Sequence, residues 1–200
     1  ASVTYQWKRG GVNIPSATSA SYTLVQADVG STITITASYT DNEETVENVT
    51  SGSTAAVVNV NDAPTGVPTI TGTATEDQAL SAVTTAIADE DVLGDFSYQW
   101  NRAGSAISGA TSVSYTLVHD DVGSAITVTA SYTDGQGTAE SVTSAETATV
   151  ANVLDTGVIA IVGEAKEDVT LTSNLSDDDG LPASVTYQWK RGGVNIPSAT

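Results

Sequence analysis

The carboxylates are the side chains here best equipped for chemistry. Asp and Glu number 24 against six Lys and Arg, and the formal net charge is -18. The acids gather where the chain should turn: Asp41-Asn42-Glu43-Glu44, Glu76-Asp77, Asp89-Glu90-Asp91 with Asp95, and Asp177-Asp178-Asp179. Hard oxygen donors in such groups suit calcium, which takes six to eight oxygens from carboxylates, amides and backbone carbonyls. No twelve-residue EF-hand loop and no Gly-rich nonapeptide repeat is present. The same acids also suit a solubilising surface in turns, so both readings stand at this level.

Other chemistries have little to work with. His119 is the only histidine, beside Asp120 and Asp121, and the sequence places it as a solvent-facing turn residue rather than a general base. Ser and Thr are abundant, but no G-x-S-x-G elbow is present, and a lone histidine supplies at most one triad. The expectation is therefore no enzyme and no catalytic residue. There are no cysteines, which excludes disulfides, thiolate nucleophiles and cysteine metal sites. A surface this acidic repels phosphate backbones and anionic lipid, so neither nucleic acid nor membrane insertion is expected. No apolar run approaches the roughly 18 residues of a spanning helix.

The elements that must position these acids are strands. Ile33, Ile35, Ala37 and Tyr39 alternate with Thr and Ser, and Ile126, Val128, Ala130 and Tyr132 repeat the pattern. Phe96, Tyr98 and Trp100 alternate likewise. A period of two marks half-buried strands with one core face and one wet face. Within 63–154, strands are expected near 68–73, 79–86, 95–102, 105–108, 113–118, 124–133 and 138–151, the last long enough to bend or break. Gln26-Ala27-Asp28-Val29 before Gly30, and its copy before Gly123, each read as a single helical turn. Several short strands with turns between them point to an antiparallel sandwich with Trp100, Tyr98, Ile126, Val128 and Tyr132 in its core.

The chain also repeats itself. Residues 183–200 duplicate residues 1–18, and Tyr5-Gln6-Trp7 returns at 98–100 and at 187–189. Residues 19–41 match 112–134, and 65–77 are echoed by 156–168. Pro and Gly in Asn61-Asp62-Ala63-Pro64-Thr65-Gly66 mark a linker, with Asp155-Thr156-Gly157 as its shorter counterpart. Three segments follow: 1–62, the later part of one repeat; 63–154, a complete repeat; and 155–200, the opening part of another.

YQW-x-R, SGATS-x-SYTL, ADVG, the SYTD strand and NDAPTG together resemble the tandem repeats of very large bacterial surface adhesins of the calcium-dependent RTX, or biofilm-associated, kind. Trp7, Trp100, Trp189, Gly30, Gly123, Asp62, Pro64 and Gly66 carry the resemblance. It implies an all-β fold of immunoglobulin-like sandwiches in a tandem rod on the bacterial cell surface. Such repeats act as extenders that hold ligand-binding domains away from the cell. The partners it implies are neighbouring repeats, or adjacent chains end to end. A carbohydrate- or protein-binding module, or a self-associating repeat, is the alternative. The resemblance further implies calcium at the linkers, held by Asn61, Asp62, Glu76, Asp77, Asp89, Asp91, Asp155, Glu167 and Asp168. The second linker departs from the pattern, because Leu154 stands where Asn61 stands and the proline is missing.

Overall fold

The computed structural model describes residues 2–199 and is all-β, built from several small antiparallel sheets. Two compact units are present. One comprises the chain up to Pro68 with Thr84–Ser97 and Thr129–Thr143; the other comprises Thr69–Val83, Tyr98–Val128 and the chain from Ser144 onward.

In the first unit, β1 (Thr4–Arg9), β2 (Val12–Asn13), β3 (Ile33–Thr40) and β4 (Val46–Thr50) form a sheet of order β2-β1-β3-β4. Trp7 stands opposite Ile35 and Tyr5 opposite Ala37, so the alternating apolar residues of both strands share a face. The expected helical turn is a single 3-10 turn, Gln26–Asp28. Asp28 closes it: the Val25 N–H donates to its Oδ2 at 2.9 Å, Tyr22 Oη donates to the same oxygen at 3.0 Å, and Arg9 Nε donates to Oδ1 at 2.7 Å. The side chain is fully buried. A buried carboxylate without such donors would cost several kcal/mol. The chain then leaves through Gly30 at a φ of 76°, a left-handed conformation that glycine adopts without strain.

The strands continue as β5 (Thr69–Thr71), β6 (Ala79–Val83), β7 (Ser97–Arg102), β8 (Ser105–Ala106), β9 (Ser114–Thr116), β10 (Ile126–Thr133) and β11 (Ala139–Thr143). They make a three-stranded sheet, β5-β6-β9, and a four-stranded sheet, β11-β10-β7-β8. Both sheets feed one core. Leu80 and Ala82 of β6 meet Trp100 of β7 and Ile126 and Val128 of β10, with Leu117 and Val150. Trp100 is 0% exposed, and its Nε1 donates to the Ser112 carbonyl at 2.9 Å, so the indole buries its ring without stranding its N–H. Tyr98 packs against this cluster only partly buried. A second 3-10 turn, His119–Asp121, repeats the first: Asp121 accepts from Arg102 Nε at 2.7 Å, Tyr115 Oη at 2.8 Å and the Val118 N–H at 2.8 Å.

The run expected over 138–151 breaks after Thr143. Hydroxyls cause the break. Ser144 Oγ accepts from the Val128 N–H and Thr147 Oγ1 from the Ile126 N–H, each at 3.0 Å, replacing ladder carbonyls along β10. Val150 and Ala151 then form parallel bridges to Val122 and Thr75. Beyond them β12 (Val158–Val162) pairs with β13 (Thr172–Ser176), and β14 (Lys190–Arg191) with β15 (Val194–Asn195).

Candidate metal centre

Four donor side chains converge in the second unit: Glu76, His119, Asp155 and Asp179. One ligand atom from each lies within 4.8 Å of all the others. Each is placed by local structure. His119 opens the 3-10 turn that the buried Asp121 locks to Arg102 and Tyr115. Burial and the Asp121 carboxylate push the Tyr115 hydroxyl up to about 12, so it stays protonated and donates throughout the neutral range. Glu76 sits beside the Thr75–Ala151 bridge, where its own N–H donates to the Ala151 carbonyl at 2.9 Å. Its side chain is 3% exposed; Oε2 accepts from the Val153 N–H at 3.1 Å, and Oε1 faces His119 Nδ1 at 3.2 Å.

Asp179 joins through the segment after β11. Asn152 Nδ2 donates to its Oδ1 at 2.7 Å, and the Asp155 N–H donates to its Oδ2 at 2.9 Å. The Asp179 N–H in turn donates to Asp177 Oδ1 at 3.0 Å. The Asn152 amide and the Asp155 N–H together hold the Asp179 carboxyl below its ordinary range. Asp155 goes the other way: burial first, then the charges of Glu76, Asp179, Asp77 and Asp178, hold its carboxyl above the usual value. Among the described residues no Lys or Arg pairs with Glu76, Asp155 or Asp179. Like charges accumulate here, and a cation is what would relieve them.

The sequence-derived ligands are placed differently. Glu76 and Asp155 enter the cluster. Asp77 is exposed at a φ of 63°, its N–H donating to the Leu117 carbonyl at 3.1 Å. Glu167 and Asp168 lie exposed in the turn between β12 and β13. In the first unit, the Asp62 N–H donates to Asp91 Oδ2 at 2.8 Å, Gln26 Nε2 donates to Asp91 Oδ1 at 2.7 Å, and the Asp91 N–H donates to Asp89 Oδ1 at 2.8 Å. Tyr132 Oη takes the other oxygen of Asp89 at 2.5 Å. Asn61 turns instead to Glu140 Oε1 at 2.8 Å. Gly66 belongs to this linker for a steric reason: a Cβ there would stand 2.1 Å from the Ala86 carbonyl oxygen. N–H donors thus fall on both oxygens of Asp91, and an N–H and a phenol hydroxyl on those of Asp89, and among the described residues these acids form no grouping like that of Glu76.

His119 and Asp179 lie outside the ligand set read from the sequence. Asp179 was legible only as one acid in a run of three. The signal for His119 is its departure from Gln26 at the matching repeat position.

No protein-family model matches the chain, and no curated protein matches it. Among solved structures, titin domains A168–A170 are a distant, partial match, with 12% sequence identity and a TM-score of 0.34. The match covers 76% of this chain and 55% of that one, so this chain spans about half the length of the structure it matches. Among the described residues no helix is long and apolar enough to cross a membrane.

Proposed function

We propose that the chain is a stretch of immunoglobulin-like extender repeats from a large bacterial cell-surface adhesin, spacing ligand-binding domains away from the cell. The repeats are 1–62, 63–154 and 155–200, non-catalytic, with calcium stiffening the linkers. One observation carries the reading: what recurs from repeat to repeat is scaffold. Arg9–Asp28–Tyr22 recurs as Arg102–Asp121–Tyr115 at nearly the same distances. Trp7 Nε1 donates to the Ser19 carbonyl, and Trp100 Nε1 to that of Ser112, both at 2.9 Å. The ring pairs Trp7–Tyr22 and Trp100–Tyr115 lie 5.8 and 6.0 Å apart, tilted by 32° and 31°. Recurrence of such locks is what selection for a repeated spacer would leave.

Calorimetry with calcium, paired with small-angle scattering, tests this. The expected result is a heat of binding, a higher melting temperature and a narrower distribution of dimensions in millimolar calcium. Magnesium or sodium at equal ionic strength producing the same changes would leave only an acidic surface. A second reading, self-association, draws on β12, whose Val158, Ile159, Ile161 and Val162 side chains are all exposed. Apolar strands left open are sites for pairing. Concentration-dependent light scattering in calcium-free buffer would favour it.

A further inference from the structure

We propose that Glu76, His119, Asp155 and Asp179 bind a borderline divalent transition ion of the zinc class, through one imidazole nitrogen and three carboxylate oxygens. The inference stands on these four residues and not on the extender reading.

The donor set decides the class of ion. Calcium and magnesium are served by oxygen alone. A nitrogen ligand favours zinc and its neighbours, for which neutral imidazole is the commonest protein donor. The matching turn of the first repeat shows the contrast. Gln26 occupies the position of His119, and its amide Nε2 donates to Asp91; an amide nitrogen is a donor only and offers a metal no lone pair. His119 instead presents a ring nitrogen 3.2 Å from Glu76 Oε1, and a ring nitrogen can bind a metal once it has released its proton.

The geometry is that of a site part-way assembled. Tetrahedral zinc with bonds of about 2.0–2.1 Å needs ligand atoms roughly 3.3 Å apart. The His119–Glu76 edge already has that length, while the widest separation in the group is within 4.8 Å. His119 is 42% exposed, whereas Glu76 is almost wholly buried and held by the Val153 N–H. A buried carboxylate opposite a partly exposed imidazole gives the ion both an anchor and an entry side. The oxygens of Asp179 that accept from Asn152 and Asp155 keep a second lone pair each. The hydrogen bond from Asn152 orients the carboxylate, as outer-shell donors do at metal sites. Three carboxylates with a neutral imidazole carry a charge of -3, which a dication reduces to -1.

His119 is the only histidine, so its ring signals in a proton–carbon NMR spectrum report on this site alone. The untagged 200-residue chain is titrated at neutral pH with zinc chloride and, separately, with calcium chloride. One equivalent of zinc is expected to shift the ring signals, with calorimetry giving one site at least tenfold tighter for zinc than for calcium. H119Q, which introduces the residue found in the matching turn, is expected to lose at least tenfold in zinc affinity and to keep the wild-type circular dichroism and calcium response. E76Q is expected to lose zinc binding as well; should it fail to fold, H119Q alone decides. Ring signals unmoved by zinc, or H119Q binding zinc as the wild type does, would overturn the assignment. The scattering response to calcium is read separately, so failure here and failure of the extender reading are told apart.

Discussion

Strands β3 and β10 carry the same eight residues except for Ile35 in place of Val128, yet they are buried differently. Along β10 burial alternates: Ile126, Val128, Ala130 and Tyr132 are inside while their neighbours are half-exposed. Along β3 only Ile33 is buried, and Ile35, Ala37 and Tyr39 remain half-exposed. The first residues of β10 face Leu80, Ala82, Leu117 and Val150, whereas no element equivalent to β6 lies over β3 among the described residues. Alternation therefore prescribes which face a strand offers to a core; a second layer decides whether that offer becomes burial.

The largest test of this contrast uses the two tryptophans. Trp100→Ala is expected to cost roughly 3–5 kcal/mol, the usual loss for a large aromatic in a closed core. Trp7→Ala, at the matching position on a half-open face, should cost less than half as much. Urea unfolding of both variants, followed by tyrosine fluorescence or circular dichroism, gives the comparison. Equal losses would mean that β1 and β3 are covered in solution by something that closes their face.

The fold was largely legible because strands declare themselves locally. A period of two, a Trp in phase with it, and Gly30 or Gly123 after a polar turn are all properties of adjacent residues. The candidate site was less legible because its members meet only through tertiary structure. His119 reaches Glu76, 43 positions earlier in the chain, and Asp179, 60 positions later. Nothing in their spacing announces this. Asp28 and Asp121 show the same limit from the other side. Nothing beside them in the chain marks them as interior, yet each is fully buried, with an arginine 19 residues away supplying the counter-charge. Composition assigned charge to the surface, and pairing moved some of it inside.

A finer test trims the one position where β3 and β10 differ. Val128→Ala removes the smaller side chain, and Ile35→Ala the larger. By methylene count alone Ile35→Ala should be the more costly. Because Val128 sits in the closed core and Ile35 does not, the order should reverse, with about 2 kcal/mol lost at Val128 and about 1 kcal/mol at Ile35. Thermal or urea denaturation resolves a difference of that size. Should the loss at Ile35 exceed that at Val128, burial by a second sheet would not be what separates the two strands.

The smallest effect concerns acid. Asp28 precedes β3, and Asp134 follows β10 directly. Burial alone would raise both carboxyls, but each lies below its ordinary value. At Asp28 the opposing donors are the Val25 N–H, Arg9 and Tyr22. At Asp134 they are backbone N–H groups, those of Thr138 and Gln136 reaching Oδ1 at 2.7 and 2.9 Å. A carboxyl depressed on folding stabilises the protein above its unfolded value of about 3.9 and loses that contribution as pH falls through the folded value. Stability should therefore fall on acidification below about pH 4, less steeply in Asp28→Asn and in Asp134→Asn than in the wild type. The two should differ in salt. Asp28 depends in part on the charge of Arg9, which is 32% exposed, so added salt should weaken its share. Asp134 is held by uncharged donors, and its share should persist. Melting temperatures between pH 6 and roughly pH 2.5, at low and high sodium chloride, separate the cases. An Asp134→Asn difference that vanished in high salt would show that distant charges, not the backbone donors of its own turn, set that carboxyl.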